Sequence, residues 1–370
     1  MAAAVSERPV KVLALLPFSE EAASVRFRVL QFLPFLTTAG FDVETHALID
    51  TDAFRLLYKR GHKLEKVAAL VSSTSNRIRA LRRTYDLALI HREAYPLGQP
   101  VIERWLARRV PMVFDFDDAI YLQNASDANR EVSFLKRPAK TAEIVALSTA
   151  VIAGNAHLGE YARRYSPRVT VIPTCVDTSV WAPLPRPSRS GPPVIGWIGT
   201  PTTTPYLLAL QPVFEALARA TPFILRISGS GTAVSMPGVT IENVPWTLAG
   251  EIELFASCDI GVYPMPTDEW TLGKCGFKAI QFMACAVPVV ASPVGVNTTI
   301  ITHGVDGLLA ATHDEWLRHL TMLTGDAAAR QRLGAAGRQR IESAYSLRVH
   351  APSVIAVFEG AAQALHAGVR

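Results

Sequence analysis

The chain has little cysteine, modest charge and no uninterrupted apolar run long enough to cross a membrane. Only four cysteines occur in 370 residues, Cys175, Cys258, Cys275 and Cys285. They show no paired ligand spacing, so neither a zinc site nor a disulfide framework is indicated, and a reducing cytoplasm is the expected location. Met1 to Pro9 lacks a basic region followed by an apolar signal core, and Val10 to Phe18 is too short to be one. The longest apolar stretch, Ala279 to Val296, is interrupted by Gln281, Pro288 and Pro293. It fits a buried helix and strand rather than a membrane span. An apolar fraction of 49% against 19% charged residues excludes an intrinsically disordered chain. The length favours two domains over one.

The net charge of +5 is unevenly placed. Residues 1–182 hold 24 Lys and Arg against 19 Asp and Glu, whereas 183–370 hold 13 of each. Within the first half, Phe54 to Thr84 carries Arg55, Lys59, Arg60, Lys63, Lys66, Arg77, Arg79, Arg82 and Arg83 against one acid, Glu65. Two readings stay open for this stretch: a solvated basic helical face, or peripheral contact with anionic lipid on the inner face of the cell membrane. Nothing in the pattern points to a nucleic-acid partner.

Short apolar runs alternate with helical patterns in both halves. The first series is Val10 to Leu16, a helix from Ser24 to Ala39, Phe41 to Ala47, Leu87 to His91, Val110 to Phe114, Ala150 to Ala153 and Val169 to Pro173. The second is Val194 to Ile198, Phe223 to Ser228, Val239 to Val244, Ile260 to Tyr263, Val287 to Ala291 and Gly307 to Ala310. Strands separated by helices of this length imply parallel sheets covered on both faces. Between the series, residues 183–193 are rich in proline and read as a linker. The expected architecture is α/β: a Rossmann-like domain over 1–182, a second over 194–349, and a C-terminal helix of about 350–370 packing back on the first. Ligands of such folds lie at the carboxyl ends of the strands, in a cleft between the domains when two stand in tandem.

The most informative stretch runs from Trp270 to Gly295 and contains Gly273-Lys274-Cys275-Gly276-Phe277-Lys278. Glycines let a backbone approach a ligand, and the unpaired N–H groups of the following helix favour an anion. On a continuous helix Lys274, Lys278 and Gln281 fall on one face, with Phe277, Ile280 and Ala284 on another. Two ammonium groups and an amide would then meet a diphosphate with a ribose behind it. The plain alternative is a surface helix whose lysines lie along apolar neighbours.

These residues resemble the GT-B retaining glycosyltransferases of family 4. Gln281 to Ser292 is similar to that family's Glu-Ala-Met-Ala-x-Gly-x-Pro-Val-Val-Ala segment, which ends its Glu-x7-Glu motif. Val294-Gly295, His303 to Leu309, Val151 to Asn155, Val171 to Asp177 and Ile227 to Gly231 add likenesses in family order. The branch it looks like carries a Gly-Lys-Cys-x-Phe-Lys loop with an Asp-x-Asp-Asp turn. Carried over by position, the two motif glutamates become Gly273 and Gln281. The basic pair the family uses to clamp the diphosphate is missing from Gly196 to Pro205. Lys274 and Lys278 are therefore expected to supply that charge, and Gln281 to meet the ribose. Gly199, Thr200, Gly229 and Trp246 join Gly273 to Lys278 and Gln281 as expected contacts of a UDP-, GDP- or dTDP-sugar. The resemblance implies transfer to a carbohydrate, lipid-linked or small-molecule hydroxyl with retention, the leaving diphosphate assisting deprotonation. No cofactor and no metal are expected, since lysines and helix amides do the neutralising.

On the N-terminal side, Val110 to Ala119 ends a buried strand in Asp115, Asp117 and Asp118. Asp115 and Asp117 share a strand face. Asp117 and Asp118 are candidates for the chemistry with the two lysines, and Asp115 for acceptor binding. His91, Arg92 and Glu93 close the neighbouring strand and are acceptor candidates, as are Arg26 and Arg28 after the first strand. The same aspartates also resemble the Asp-x-Asp-x-Thr nucleophile of haloacid-dehalogenase phosphohydrolases, with Ala119 in place of threonine, which leaves a magnesium-dependent phosphohydrolase as one alternative. A non-catalytic sugar-nucleotide binder is the other.

Overall fold

Val10–Phe18 is apolar at nearly every position because both faces of the strand it forms, β1, are covered; Val12 to Leu16 are almost fully buried. Five further strands join it in parallel: β2 (Phe41–Ile49), β3 (Leu87–His91), β4 (Met112–Phe116), β5 (Ala150–Ala153) and β6 (Val169–Val171). Their spatial order is β2-β1-β3-β4-β5-β6. A second parallel sheet has the order β12-β11-β10-β7-β8-β9, with β7 (Val194–Ile198), β8 (Ile224–Ser228), β9 (Thr240–Val244), β10 (Ile260–Tyr263), β11 (Val289–Ala291) and β12 (Leu308–Leu309). The computed structural model describes residues 8–51, 62–122, 137–184 and 191–366. It divides into two units, Met1–Thr174 with His350–Arg370, and Cys175–Val349.

Each sheet reverses its chain order at one place. In the first unit this is between β1 and β3, in the second between β7 and β10. Loops diverge there at the carboxyl ends of the strands and leave room for a ligand. The core under the second sheet combines Ile195, Trp197, Phe214, Leu225, Ile260 and Leu320. Each such side chain contributes about 1.5–3 kcal/mol by leaving water.

Two boundaries differ from the sequence expectation. The helix expected from Ser24 to Ala39 is broken into α1 (Ala23–Arg28), a 3-10 turn (Leu30–Phe32) and α2 (Leu33–Thr38). Pro34 has no N–H to donate and is accommodated in the first turn of a new helix. Residues 175–182, expected in the first domain, belong to the second unit. Val176 N–H donates to Tyr345 O at 3.1 Å, the Trp181 ring meets Phe255 edge-on at 5.5 Å, and Arg338 donates to the carbonyls of Thr178, Trp181 and Ala284. The final helix, Leu347–His366, places Phe358 edge-on against Phe41 at 5.5 Å. Of the expected linker, residues 185–190 lie outside those described.

The basic stretch is not one uniform face. Arg77 is 2% exposed and donates inward to Leu16 O at 2.6 Å, and burial pulls its pKa down to about 10. Arg79, Arg82 and Arg83 are exposed, with Arg83 paired to Glu44. Arg55, Lys59 and Arg60 lie outside the described residues, as do the side chains of Lys63 and Lys66. No described helix is long and apolar enough to cross a membrane.

Candidate functional site

The residues singled out in the second unit lie after β7, β8, β9 and β10, at the carboxyl edge of one sheet. Gly199 follows β7 and Gly229 follows β8; Gly229 has φ +81°, and a Cβ there would fall 2.2 Å from Gly199 O. The two backbones therefore touch, as no side chain would allow. Gly229→Ala is expected to destabilise the second unit by about 1–3 kcal/mol; unchanged urea unfolding of this variant would refute that contact. Thr200 N–H donates to Thr203 Oγ1 at 2.9 Å, and the Thr200 hydroxyl bonds that of Thr202 at 2.8 Å, so the loop after β7 is held by its own side chains. Trp246 is half-buried in the segment between β9 and helix α9 (Glu251–Ala256). Numbering the helices in chain order, the next are α10 (Glu269–Leu272) and α11 (Phe277–Ala284).

After β10 the chain makes a rigid double turn. Asp268 caps α10 by accepting from Thr271 N–H at 2.7 Å, while Thr271 Oγ1 accepts from Asp268 N–H at 3.1 Å and reaches Pro266 O at 2.7 Å. Gly273 ends α10, and Gly276, at φ +65°, starts α11 with no side-chain cap. A Cβ on Gly276 would lie 2.2 Å from Ile300 Cδ1, so both the left-handed backbone and the lack of space call for glycine. The first amides of α11 have no carbonyl within the helix to bond.

That start corrects the single-face reading of Lys274, Lys278 and Gln281. Lys274 precedes the left-handed Gly276 and is not on the helix; its ammonium lies 4.5 Å from the Trp270 ring centroid. Lys278 is on the first turn, half-buried, with Nζ 5.0 Å from the Phe255 ring centroid and 2.9 Å from Gln281 Oε1. Gln281 is fully buried, and its Nε2 faces Glu251 Oε1 at 3.5 Å. From Ala279 to Ala284 the helix is buried all round, so the expected polar stripe does not exist beyond Lys278. Gln281 is correspondingly not available as the ribose contact expected of it. Cys275 is buried and Phe277 half-buried.

In the first unit, Arg28, His91 and Asp115 form one buried cluster at the point where its sheet reverses. Asp115 Oδ2 accepts from Arg28 Nη2 at 2.5 Å, and Oδ1 accepts from Arg28 Nε at 3.2 Å and from His91 Nδ1 at 2.8 Å. Arg28 Nη1 donates to Ile172 O at 2.7 Å. All three side chains are at most 3% exposed. Burial is the strongest influence on the Asp115 carboxyl and pushes its pKa up; Arg28 and His91 outweigh it and leave the group below the usual carboxylate range. Nδ1 of His91 carries the proton by this assignment, and Nε2 is buried without a partner.

Beside the cluster, Arg92 takes a left-handed backbone, φ +61°, uncommon for a residue with a side chain. Its N–H bonds Asp115 O at 2.7 Å and its Nε bonds Asp117 Oδ1 at 2.7 Å; Nη2 lies 3.9 Å from Asp118 Oδ2. For Asp117 too, burial raises the pKa and Arg92, then His91, bring it well below the normal range. Glu93 accepts from the buried Lys140 at 2.8 Å, and Arg26 Nη1 ties down the carbonyls of Glu20 and Glu21 at 2.7 and 2.9 Å.

These contacts correct the acceptor-side expectations. Arg28, His91 and Asp115 are enclosed, with Arg28 and His91 Nδ1 both turned to Asp115, and Arg26 closes its own loop. Asp115 is equally unsuited to attack a phosphate, which removes the geometry of a haloacid-dehalogenase site. Asp117, Asp118, Arg92 and Glu93 are partly accessible, with side chains 11%, 13%, 22% and 23% exposed. Among the described residues no group of three or more His, Cys, Asp and Glu side chains is arranged to hold a metal ion.

Glu251 escaped the sequence reading. Its one signal was an acid at the start of a helix, Gly250-Glu251, which helix electrostatics explains without any functional role.

Comparison with known proteins agrees with this architecture. Residues 192–326 match the family model described as "Glycosyl transferases group 1". A D-inositol 3-phosphate glycosyltransferase of Nocardia farcinica is 25% identical over 335 residues, covering 78% of this chain and 71% of that protein. One of the same name from Stackebrandtia nassauensis is 39% identical over 85 residues, 22% of this chain but only 18% of that protein. Among solved structures, sucrose-phosphate synthase from Thermosynechococcus elongatus aligns with TM-score 0.63 at 16% identity, covering 95% of this chain and 98% of its own. Anabaena HepE in complex with UDP and glucose aligns with TM-score 0.64 at 15% identity, covering 95% and 99%. The chain is thus a two-domain α/β protein of the GT-B fold, and its second unit carries the match to the group 1 glycosyl transferases.

Proposed function

We propose that this chain is a glycosyltransferase that binds a nucleotide-diphosphate sugar in its second unit and transfers the sugar to a hydroxyl acceptor with retention of configuration. The observation that carries the reading is the start of α11: an uncapped helix behind a left-handed glycine, with one lysine on its first turn and another just before it. A diphosphate placed there meets the amides of the helix's first turn and two ammonium groups. The helix term alone contributes about 0.3–1 kcal/mol when exposed and up to about 2 when partly buried, so the lysines carry the larger share. The match of residues 192–326 to group 1 glycosyl transferases and the relatives' names support the donor class. The UDP and UDP-glucose bound in Anabaena HepE support a uridine donor as the first to try.

In this reading the developing charge on the leaving diphosphate is neutralised by Lys274, Lys278 and the helix amides, with no metal required. Gly199, Thr200, Gly229 and Trp246 frame the rest of the donor. Asp117, held by Arg92, is the carboxylate assigned to the acceptor side. The relatives' name makes a phosphorylated polyol the first acceptor class to try.

A panel of UDP-, GDP- and dTDP-sugars, followed by nucleoside diphosphate release with and without EDTA, tests the proposal. One donor should be consumed in an acceptor-dependent, EDTA-insensitive manner. Binding of a sugar nucleotide with no turnover for any acceptor would favour a non-catalytic binder instead. EDTA-sensitive release of inorganic phosphate would overturn the donor assignment.

A further inference from the structure

Resemblance to family 4 predicts a carboxylate at position 281, where this chain has glutamine. The structure has a buried carboxylate next to it, on another element. Glu251 is 4% exposed, opens α9, and faces Gln281 Nε2 at 3.5 Å; Gln281 Oε1 in turn accepts from Lys278 at 2.9 Å. Phe255, also on α9, lies under the Lys278 ammonium at 5.0 Å. One short helix thus supplies both the ring beneath this lysine and the negative charge behind the amide that holds it.

We infer that Glu251 is a positioning residue for the donor site: acting through Gln281, it holds the Lys278 ammonium in place before the diphosphate arrives. This rests on the donor reading of α11. A free lysine loses rotamer entropy on being fixed, and fixing it in the unliganded protein removes that loss from the binding step. Gln281, buried and bonded at both ends of its amide, suits a connecting role better than contact with a ribose. A carboxylate near a diphosphate also repels it, so the two effects of Glu251 oppose each other. The inference states that placement of Lys278 outweighs repulsion.

Calorimetric titration of the full chain with UDP, or with GDP should the donor panel select it, decides the matter. Lys278→Ala is expected to weaken binding tenfold or more, and Glu251→Gln by about tenfold. The double variant should bind no more weakly than Lys278→Ala alone, because Glu251 acts through that lysine. The exchange variant Glu251→Gln with Gln281→Glu, which moves the charge to the neighbouring position, should recover most of the loss. A merely structural role for Glu251 predicts no such recovery. Should Glu251→Gln fail to fold, Gln281→Met cuts the same connection and is expected to weaken UDP binding equally. Unchanged or tighter binding by Glu251→Gln, additive losses in the double variant, or no recovery on exchange would each overturn the inference while leaving the donor site intact. Normal binding by Lys278→Ala would remove the donor reading and the inference together.

Discussion

Asp115→Ala is expected to destabilise the first unit by about 3–5 kcal/mol, the range for removing one partner of a buried ion pair. The loss follows from what is stranded: the buried Arg28 guanidinium loses the carboxylate it meets through Nε and Nη2, and the His91 Nδ1 proton loses its acceptor. Asp115→Asn keeps the shape but not the charge and should recover only part of the loss. A chain of two units does not promise two-state unfolding, so the measurement is hydrogen exchange by peptide. Protection should fall across Val10–Phe18, Leu87–His91 and Met112–Phe116, with Val194–Ile198 unchanged. Equal loss in both sheets, or none in the first, would contradict the cluster's role.

The pH dependence follows with a definite sign. Asp115 and Asp117 have folded pKa values below the unfolded value of about 3.9. Their stabilisation is complete above that value and is lost as the pH falls through the lower folded values. Acid unfolding of the first unit should therefore begin below about pH 4, and Asp115→Asn should shift its onset upward.

Lys278→Ala carries the second large effect, on turnover. Removing a group that meets charge in the transition state lowers the rate on the order of a hundred- to a thousandfold. Lys278 is held between Phe255 and Gln281, so this charge is already placed, and kcat should fall along with kcat/KM. Lys278→Arg keeps the charge but not the compact ammonium and should restore little. Lys274→Ala should cost less, since that lysine is off the helix and lies against Trp270. Steady-state kinetics with the selected donor checks the order; near-native kcat for Lys278→Ala would refute the assignment.

The alternation of apolar runs made both sheets legible, because a strand covered on two faces has to be apolar throughout. Ala150–Ala153 and Val194–Ile198 could be placed to the residue for that reason. The helix after Gly276 was legible as an element but not in its facing. Helical spacing was extended back to Lys274, and one left-handed glycine cancels that register. Arg28, Arg77 and Asp115 were misread in the same way: charge suggests solvent or ligand, yet their partners lie 87, 61 and 24 residues away in the chain, as Arg28 with Asp115, Arg77 with Leu16, and Asp115 with His91. Pairing over such separations is created by strand order, which single-sequence patterns do not specify. Glu251 was invisible for that reason too, since its neighbour Gln281 is 30 residues on.

The central claim is that the donor diphosphate is held at the beginning of α11. Hydrogen exchange of the full chain, with and without the saturating nucleoside diphosphate selected by the donor panel, tests it most directly. The account predicts marked slowing of the amides of Phe277, Lys278 and Ala279, which have no intrahelical partner. Slowing elsewhere, with those three amides unaltered, would contradict it.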